Sequence, residues 1–202
     1  MKRQLRAVGD FWREQLGHFM LLSAAAFAAI AVLAFAAGRL FPDFCDTVVR
    51  SFSAMLDSSG VMDDTGDISI LRLFLHNLQA VVVTTLYGLI PFIYLPALSL
   101  GVNAAVLGVL AAYYVDNGLS LLVYLAGILP HGIFELPALV AGMACGLCLC
   151  SNIDRYIRKN EKGVMKPLFL NLLRVLCLLV PLLLLAAVTE ALVTPKVMAL
   201  FL

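Results

Sequence analysis

Residues 119–150 read LSLLVYLAGILPHGIFELPALVAGMACGLCLC, a long apolar stretch with one histidine, one glutamate and no lysine or arginine. As one straight helix it would extend about 48 Å at 1.5 Å per residue, well past a hydrocarbon core of about 30 Å. It is therefore one interrupted crossing or two separate ones. Pro130 and Gly132 disfavour helix continuity near the midpoint, and Pro137 adds a second kink. Flanking charge decides between the two. The next segment, SNIDRYIRKNEKGVMK, carries Arg155, Arg158, Lys159, Lys162 and Lys166, a density that the positive-inside rule assigns to the cytoplasm. The N-terminal segment, with Lys2, Arg3, Arg6 and Arg13, is assigned there too, and both lie inside only if residues 119–150 cross once. The prediction is five transmembrane helices, the fourth broken near Pro130 and Gly132, with the N-terminus cytoplasmic and the C-terminus outside.

The wider composition agrees. The 202 residues are 62% hydrophobic and 13% charged, with a mean hydropathy of +0.99. That balance belongs to an integral membrane protein and excludes an ordinary soluble domain. The net charge of +1 hides an asymmetry, because residues 73–150 contain no Lys or Arg and, as acids, only Asp116 and Glu135. The expected fold is all-α and polytopic, one membrane domain over residues 1–202 in the cytoplasmic (inner) membrane. Spans are expected near residues 19–37, 70–94, 97–115, 119–150 and 168–191, since about 20 apolar residues make a crossing. The first exceeds the apolar core of a cleaved signal peptide and reads as an uncleaved anchor. Pro91 and Pro96 mark one turn, and the DNG at residues 116–118 marks another.

Three segments lie outside the spans. In residues 1–17, Lys2, Arg3, Arg6 and Arg13 line one side of a helical pattern formed by Leu5, Val8, Trp12 and Leu16, which predicts a cytoplasmic interfacial helix on an anionic leaflet. Residues 39–68 are acidic, with Asp43, Asp46, Asp57, Asp63, Asp64 and Asp67 against Arg39 and Arg50, and are expected to face outward. There Phe44, Val48, Phe52 and Met55 recur at helical spacing, which predicts a short amphipathic helix on the outer interface. The DDTGD that follows lacks a calcium-loop pattern and reads as a solvated linker. Residues 151–167 form the basic cytoplasmic loop. Cys45, Cys145, Cys148, Cys150 and Cys177 read as small packing groups, because the single C-x-x-C has no second pair or histidines at zinc-site spacing. No metal or cofactor is expected.

An ionisable side chain at mid-membrane costs about 2.5 to 3.5 kcal/mol by insertion scales, so Glu135 is expected to pair or to take up a proton. His131, four residues earlier, shares its helix face. Counting rise along each span places Glu135, Asn103, Asn171 and Arg174 at similar depth, with Arg174 the cation among them. The predicted buried polar site is thus His131, Glu135, Asn103, Arg174 and Asn171. His76, Asn77, Gln79 and Glu190 form a separate outer cluster in which Glu190 pairs with His76. Gly142 and Gly146, together with the small face Gly101, Ala105 and Gly108, allow close helix approach. Two uses of the buried site stand side by side: a hydrogen-bonded knot that fixes helix register, and a proton or ion pathway through a broken midplane helix.

HGIFELPAL at residues 131–139, preceded by the DNG turn, Asn103 and a Phe74-x-x-Asn77 element, resembles the stage II sporulation protein M family of integral membrane proteins. The most specific element is His131-Gly132-x-x-Glu135 followed by the small-residue helix with Gly142 and Gly146. Where the family often has paired asparagines on the second span, this chain has His76-Asn77. The resemblance implies a membrane scaffold that gathers peptidoglycan-degrading partners. Membrane lipid, other membrane or envelope proteins and a further copy of the chain are the expected partners, and nucleic acid is not. The alternative is a small carrier or channel working through His131 and Glu135. Enzyme activity is not expected: H-E-x-x-H is absent, His131 and Glu135 supply two ligands where zinc usually takes three, and Ser99 lacks a G-x-S-x setting.

Overall fold

The computed structural model describes residues 9–58, 68–159, 163 and 165–201. Lys2, Arg3, Leu5, Arg6, Val8, the DDTGD linker and Lys162 lie outside the described residues. The regular elements are all helical: α1 (Gly17–Leu40), α2 (Pro42–Ser58), α3 (Ile70–Leu86), α4 (Leu95–Asp116), α5 (Leu121–Lys159), α6 (Met165–Leu192) and the short α7 (Thr194–Met198). Five of them, α1 and α3 to α6, are long and apolar enough to cross a membrane. Their ends follow local chemistry. Phe41 separates α1 from Pro42, which opens α2 at the position where a missing N–H costs nothing. After α3 the chain tightens into a 3-10 turn, Tyr87–Leu89, and reaches α4 through Phe92 and Tyr94, both with positive φ (73° and 52°).

The described residues fix which ends share a face. Arg39 at the end of α1 pairs with Asp116 at the end of α4, Tyr114 packs on Tyr124 of α5, and α2 lies against α4 through Cys45, Val48, Val49 and Val109. Burial pushes the Cys45 thiol pKa up, and its Sγ donates to the Val109 carbonyl at 3.4 Å. On the opposite face Phe11 and Leu16 pack with Cys145, Cys148, Leu149, Leu168 and Leu172, and the Arg158 guanidinium lies 5.2 Å over the Phe92 ring. The start of α1, the α3–α4 turn and the α5–α6 connection therefore share a basic face, while α2, the α4–α5 turn and α7 share the other. Alternating sides in this way is what five antiparallel crossings require.

Two expectations about continuity need correction. First, α5 is not broken at Pro130 and Gly132: helix runs through both, and through Pro137, for 39 residues. A proline deletes one backbone donor, so one turn loses one bond while the rest of the ladder holds; membrane helices tolerate this where neighbouring protein covers the freed group. Cover is present, since a Cβ at Gly127, one turn before Pro130, would stand 3.2 Å from Met198 Sδ of α7. Gly132 is buried within the helix and marks no gap. Second, the described part of the segment expected to lie on the membrane surface, residues 9–17, is continuous with the first span. Helix runs from Gly9 to Leu40 through a π-helical turn at Trp12–Leu16, because Phe11 and Leu16 are buried in the bundle. Likewise α5 extends to Lys159, so most of the basic segment is helix, with Arg158 bonded to Asp154 at 2.6 Å.

α5 is the axis of the bundle. It contacts α1, α3, α4, α6 and α7, and every residue from Ala138 to Cys150 is buried. Close approach there depends on glycine. A Cβ on Gly146 would fall 2.7 Å from both Pro96 Cγ and Thr84 O, and one on Gly88 would fall 2.1 Å from Gly146 O. Gly108 does the same between α4 and α1, where a Cβ would meet Ala31 O at 2.1 Å. The approach also closes polar groups: the Thr85 hydroxyl is shared between Val81 O at 2.9 Å and Gly142 O at 3.1 Å, Thr84 and Ser99 hydroxyls meet at 2.7 Å, and Tyr124 Oη donates to Leu107 O at 2.8 Å. Gly142 packs on Val81, Gly101 makes ordinary contact with Ile30, and Ala105 is half-buried. Cys45, Cys145, Cys148 and Cys150 are buried free thiols, and Cys177 is exposed.

Candidate functional site

Above the Ala138–Cys150 core, on the side of α2, the helices diverge around a cavity of about 380 Å³. Its polar lining comes from His76 and Asn77 of α3, Asn103 of α4, His131 and Glu135 of α5, and Glu190 of α6. Phe52 and Met55 of α2 lie over it with Ile68. One helical turn separates His131 from Glu135, so both point the same way. Glu190 reaches them from the last turns of α6. One ligand atom from each of His131, Glu135 and Glu190 lies within 4.8 Å of the other two, and all three residues are half-buried.

The surrounding groups are ordered. Thr194, at the start of α7, donates through Oγ1 to the Thr189 carbonyl at 3.3 Å, and His131 Nδ1 lies 3.3 Å from the same hydroxyl oxygen. Where the Thr194 hydroxyl donates to Thr189, the Nδ1 contact is made by an Nδ1–H tautomer, which keeps the lone pair on Nε2. Asn77 is buried and its amide approaches Glu135, yet its Nδ2 makes no hydrogen bond. Asn103 sits at the edge, exposed, with Nδ2 bonded back to Ser99 O at 3.1 Å. No lysine or arginine is among the described residues that line the cavity.

This arrangement merges the two clusters read from the sequence and divides them differently. His131, Glu135 and Asn103 share one cavity with His76, Asn77 and Glu190. Arg174 and Asn171 do not belong to it. Arg174 donates to Asn171 Oδ1 at 2.8 Å, in the part of α6 that packs beside Cys145 and Leu149. About 24 Å of helix separates Arg174 from Glu190. The depth count failed because α5 overhangs: its first turns stand level with α7, beyond the end of α6, so Glu135 lies nearer the α2 face than its distance from Leu119 suggests. Gln79 is exposed on α3 and does not line the cavity. Glu190 therefore faces Glu135 and His131 within the shared site. Thr194, Phe52 and Met55 were not singled out as site residues; Glu190, a lone acid in the last turns of an apolar span, was the available signal for where the cavity lies.

Neither the curated proteins nor the solved structures hold a significant match to this chain. The family model for stage II sporulation protein M matches residues 18–195, which take in all five spans and every residue of the cavity. Matched over most of its length, and with five helices long and apolar enough to cross a membrane, the chain belongs to the stage II sporulation protein M family of membrane proteins.

Proposed function

We propose that this protein is an envelope scaffold of the cytoplasmic membrane, with its N-terminus inside and its C-terminus outside, which engages partner proteins from the outer side through α2 and the rim of the cavity. The observation that carries this reading is where the cavity lies. Phe52 and Met55 of α2 are part of its lining, and further along α5 the run Ala138–Cys150 is buried without a break. A cavity lined in part by α2 suits docking beside that helix, whereas conduction needs a second opening. The positive-inside rule supports the orientation, since Arg155, Arg158, Lys159 and Lys166 share a face with the start of α1. Exposed Phe41, Phe44 and Met55 on or beside α2 offer apolar anchors next to Asp43 and Asp46. No chemistry in the membrane is assigned to the chain.

The test is a photo-crosslinking residue placed at Phe44 in cells, with a matched control at Leu21 on the basic-face half of α1. Envelope proteins, such as wall-modifying enzymes, recovered from Phe44 but not from Leu21 support the scaffold. Identical adducts from both positions would refute it. A second reading, a small carrier caught facing outward, is favoured by the two carboxylates within the bundle. Glu135→Gln separates the two: a scaffold keeps its Phe44 adducts, while a carrier loses proton or cation flux in proteoliposomes.

A further inference from the structure

We infer that His131, Glu135 and Glu190 form a binding site for one divalent transition-metal ion of the zinc type. The inference does not depend on the scaffold reading. It begins from charge. Two carboxylates share a cavity within a membrane bundle, their oxygens within 4.8 Å, and no described lysine or arginine lines that cavity. Buried carboxylates need a compensating positive charge or a shared proton. A dication held by two glutamates and a neutral imidazole supplies that charge in full.

Geometry points the same way. Ligand atoms about 2.1 Å from a tetrahedral ion stand about 3.4 Å apart, so a spread of up to 4.8 Å closes through glutamate rotamers without moving a helix. The histidine is prepared for ligation. Its Nδ1 lies 3.3 Å from the Thr194 hydroxyl, itself within 3.3 Å of the Thr189 carbonyl, and a contact of this kind is what fixes the tautomer and ring orientation of metal-binding histidines. The buried Asn77 amide, which approaches Glu135 with Nδ2 unbonded, is placed to take the carboxylate oxygen that an ion leaves free. One nitrogen and two oxygen ligands suit zinc-type ions better than magnesium, which dehydrates reluctantly, or calcium, which takes six or more oxygens. Three protein ligands leave at least one coordination position facing the cavity. The sequence alone supplied two ligands, and the third comes from Glu190, 55 positions away along the chain.

The experiment uses the full chain purified in detergent, stripped with chelator, then dialysed against Zn2+ with Mg2+ and Ca2+ in excess, and reads zinc per chain by elemental analysis. Wild type should retain about one ion. Glu190→Gln and His131→Ala should each abolish retention while eluting as folded, monodisperse protein; Glu135→Gln replaces His131→Ala if the latter does not fold. Asn77→Leu, which removes only the supporting amide, should weaken binding about tenfold. Co2+ in place of Zn2+ should show d–d absorption without a thiolate charge-transfer band, which separates this site from Cys145 and Cys148. Folded wild type that retains no zinc, or variants that retain it as wild type does, would overturn the inference.

Discussion

Glu190 and Glu135 illustrate what a single side chain contributes here. Like charges a few ångströms apart in a poorly hydrated cavity repel, by on the order of 3 to 4 kcal/mol at full ionisation and an effective dielectric of about 20, less where solvent reaches them. In metal-stripped protein Glu190→Gln is therefore expected to raise thermal stability, by about 1 kcal/mol after that discount, whereas with Zn2+ present it removes the ligand-linked gain; melting curves with and without chelator check both signs. The Arg39–Asp116 pair is a contrasting case, since its side chains remain 43% and 22% exposed. Asp116→Asn should cost less than about 1 kcal/mol in the same assay. At this scale the sequence was partly legible. His131 and Glu135 declared themselves as a polar pair in an apolar stretch, but Arg174 was assigned to them because rise along a helix gives depth and says nothing of which ends overhang. Depth without register brought the wrong cation to the site.

Among the elements, α5 carries the most consequence. Proline positions are a sound guide to where a helix loses a hydrogen bond and a poor guide to whether it stops, because packing on the exposed turn decides that. Pro130→Ala should accordingly be neutral or stabilising in a thermal melt and leave zinc retention intact; a loss of either would restore an obligatory break. Gly146 is the stricter position. Gly146→Val would push a side chain into Thr84 O and Pro96, and overpacking a close helix contact costs about 1 to 3 kcal/mol or more, so this variant should fall in yield and melt early. The small-residue face was readable as spacing, since Gly142 and Gly146 share one side of a helix. What the spacing did not reveal is that Gly88 meets Gly146 across the same contact, because Gly88 sits in a turn and belongs to no helical pattern. Of the N-terminal pattern, Leu16 packs with Phe11 against the Cys145–Leu172 region of the bundle while Trp12 is exposed, so the described part of the stripe does not act as one face.

For the molecule as a whole, charge and length were enough. Five spans followed from the length of the apolar stretches and a hydrocarbon core of about 30 Å, and five helices among the described residues are long and apolar enough to cross. The cavity was not legible, since it arises from four helices, α3 to α6, meeting beside α2, and no one segment records that. Its position sets a polar cavity beside α2, with the buried run Ala138–Cys150 further along α5, which is the basis for proposing a receptor surface there. The most direct measurement is a pair of double-cysteine variants in a background with the five native cysteines replaced, treated in membranes with a short bifunctional thiol reagent. Glu135→Cys with Glu190→Cys should crosslink readily, and Glu135→Cys with Arg174→Cys should not. Efficient crosslinking of the second pair, with none of the first, would contradict the account.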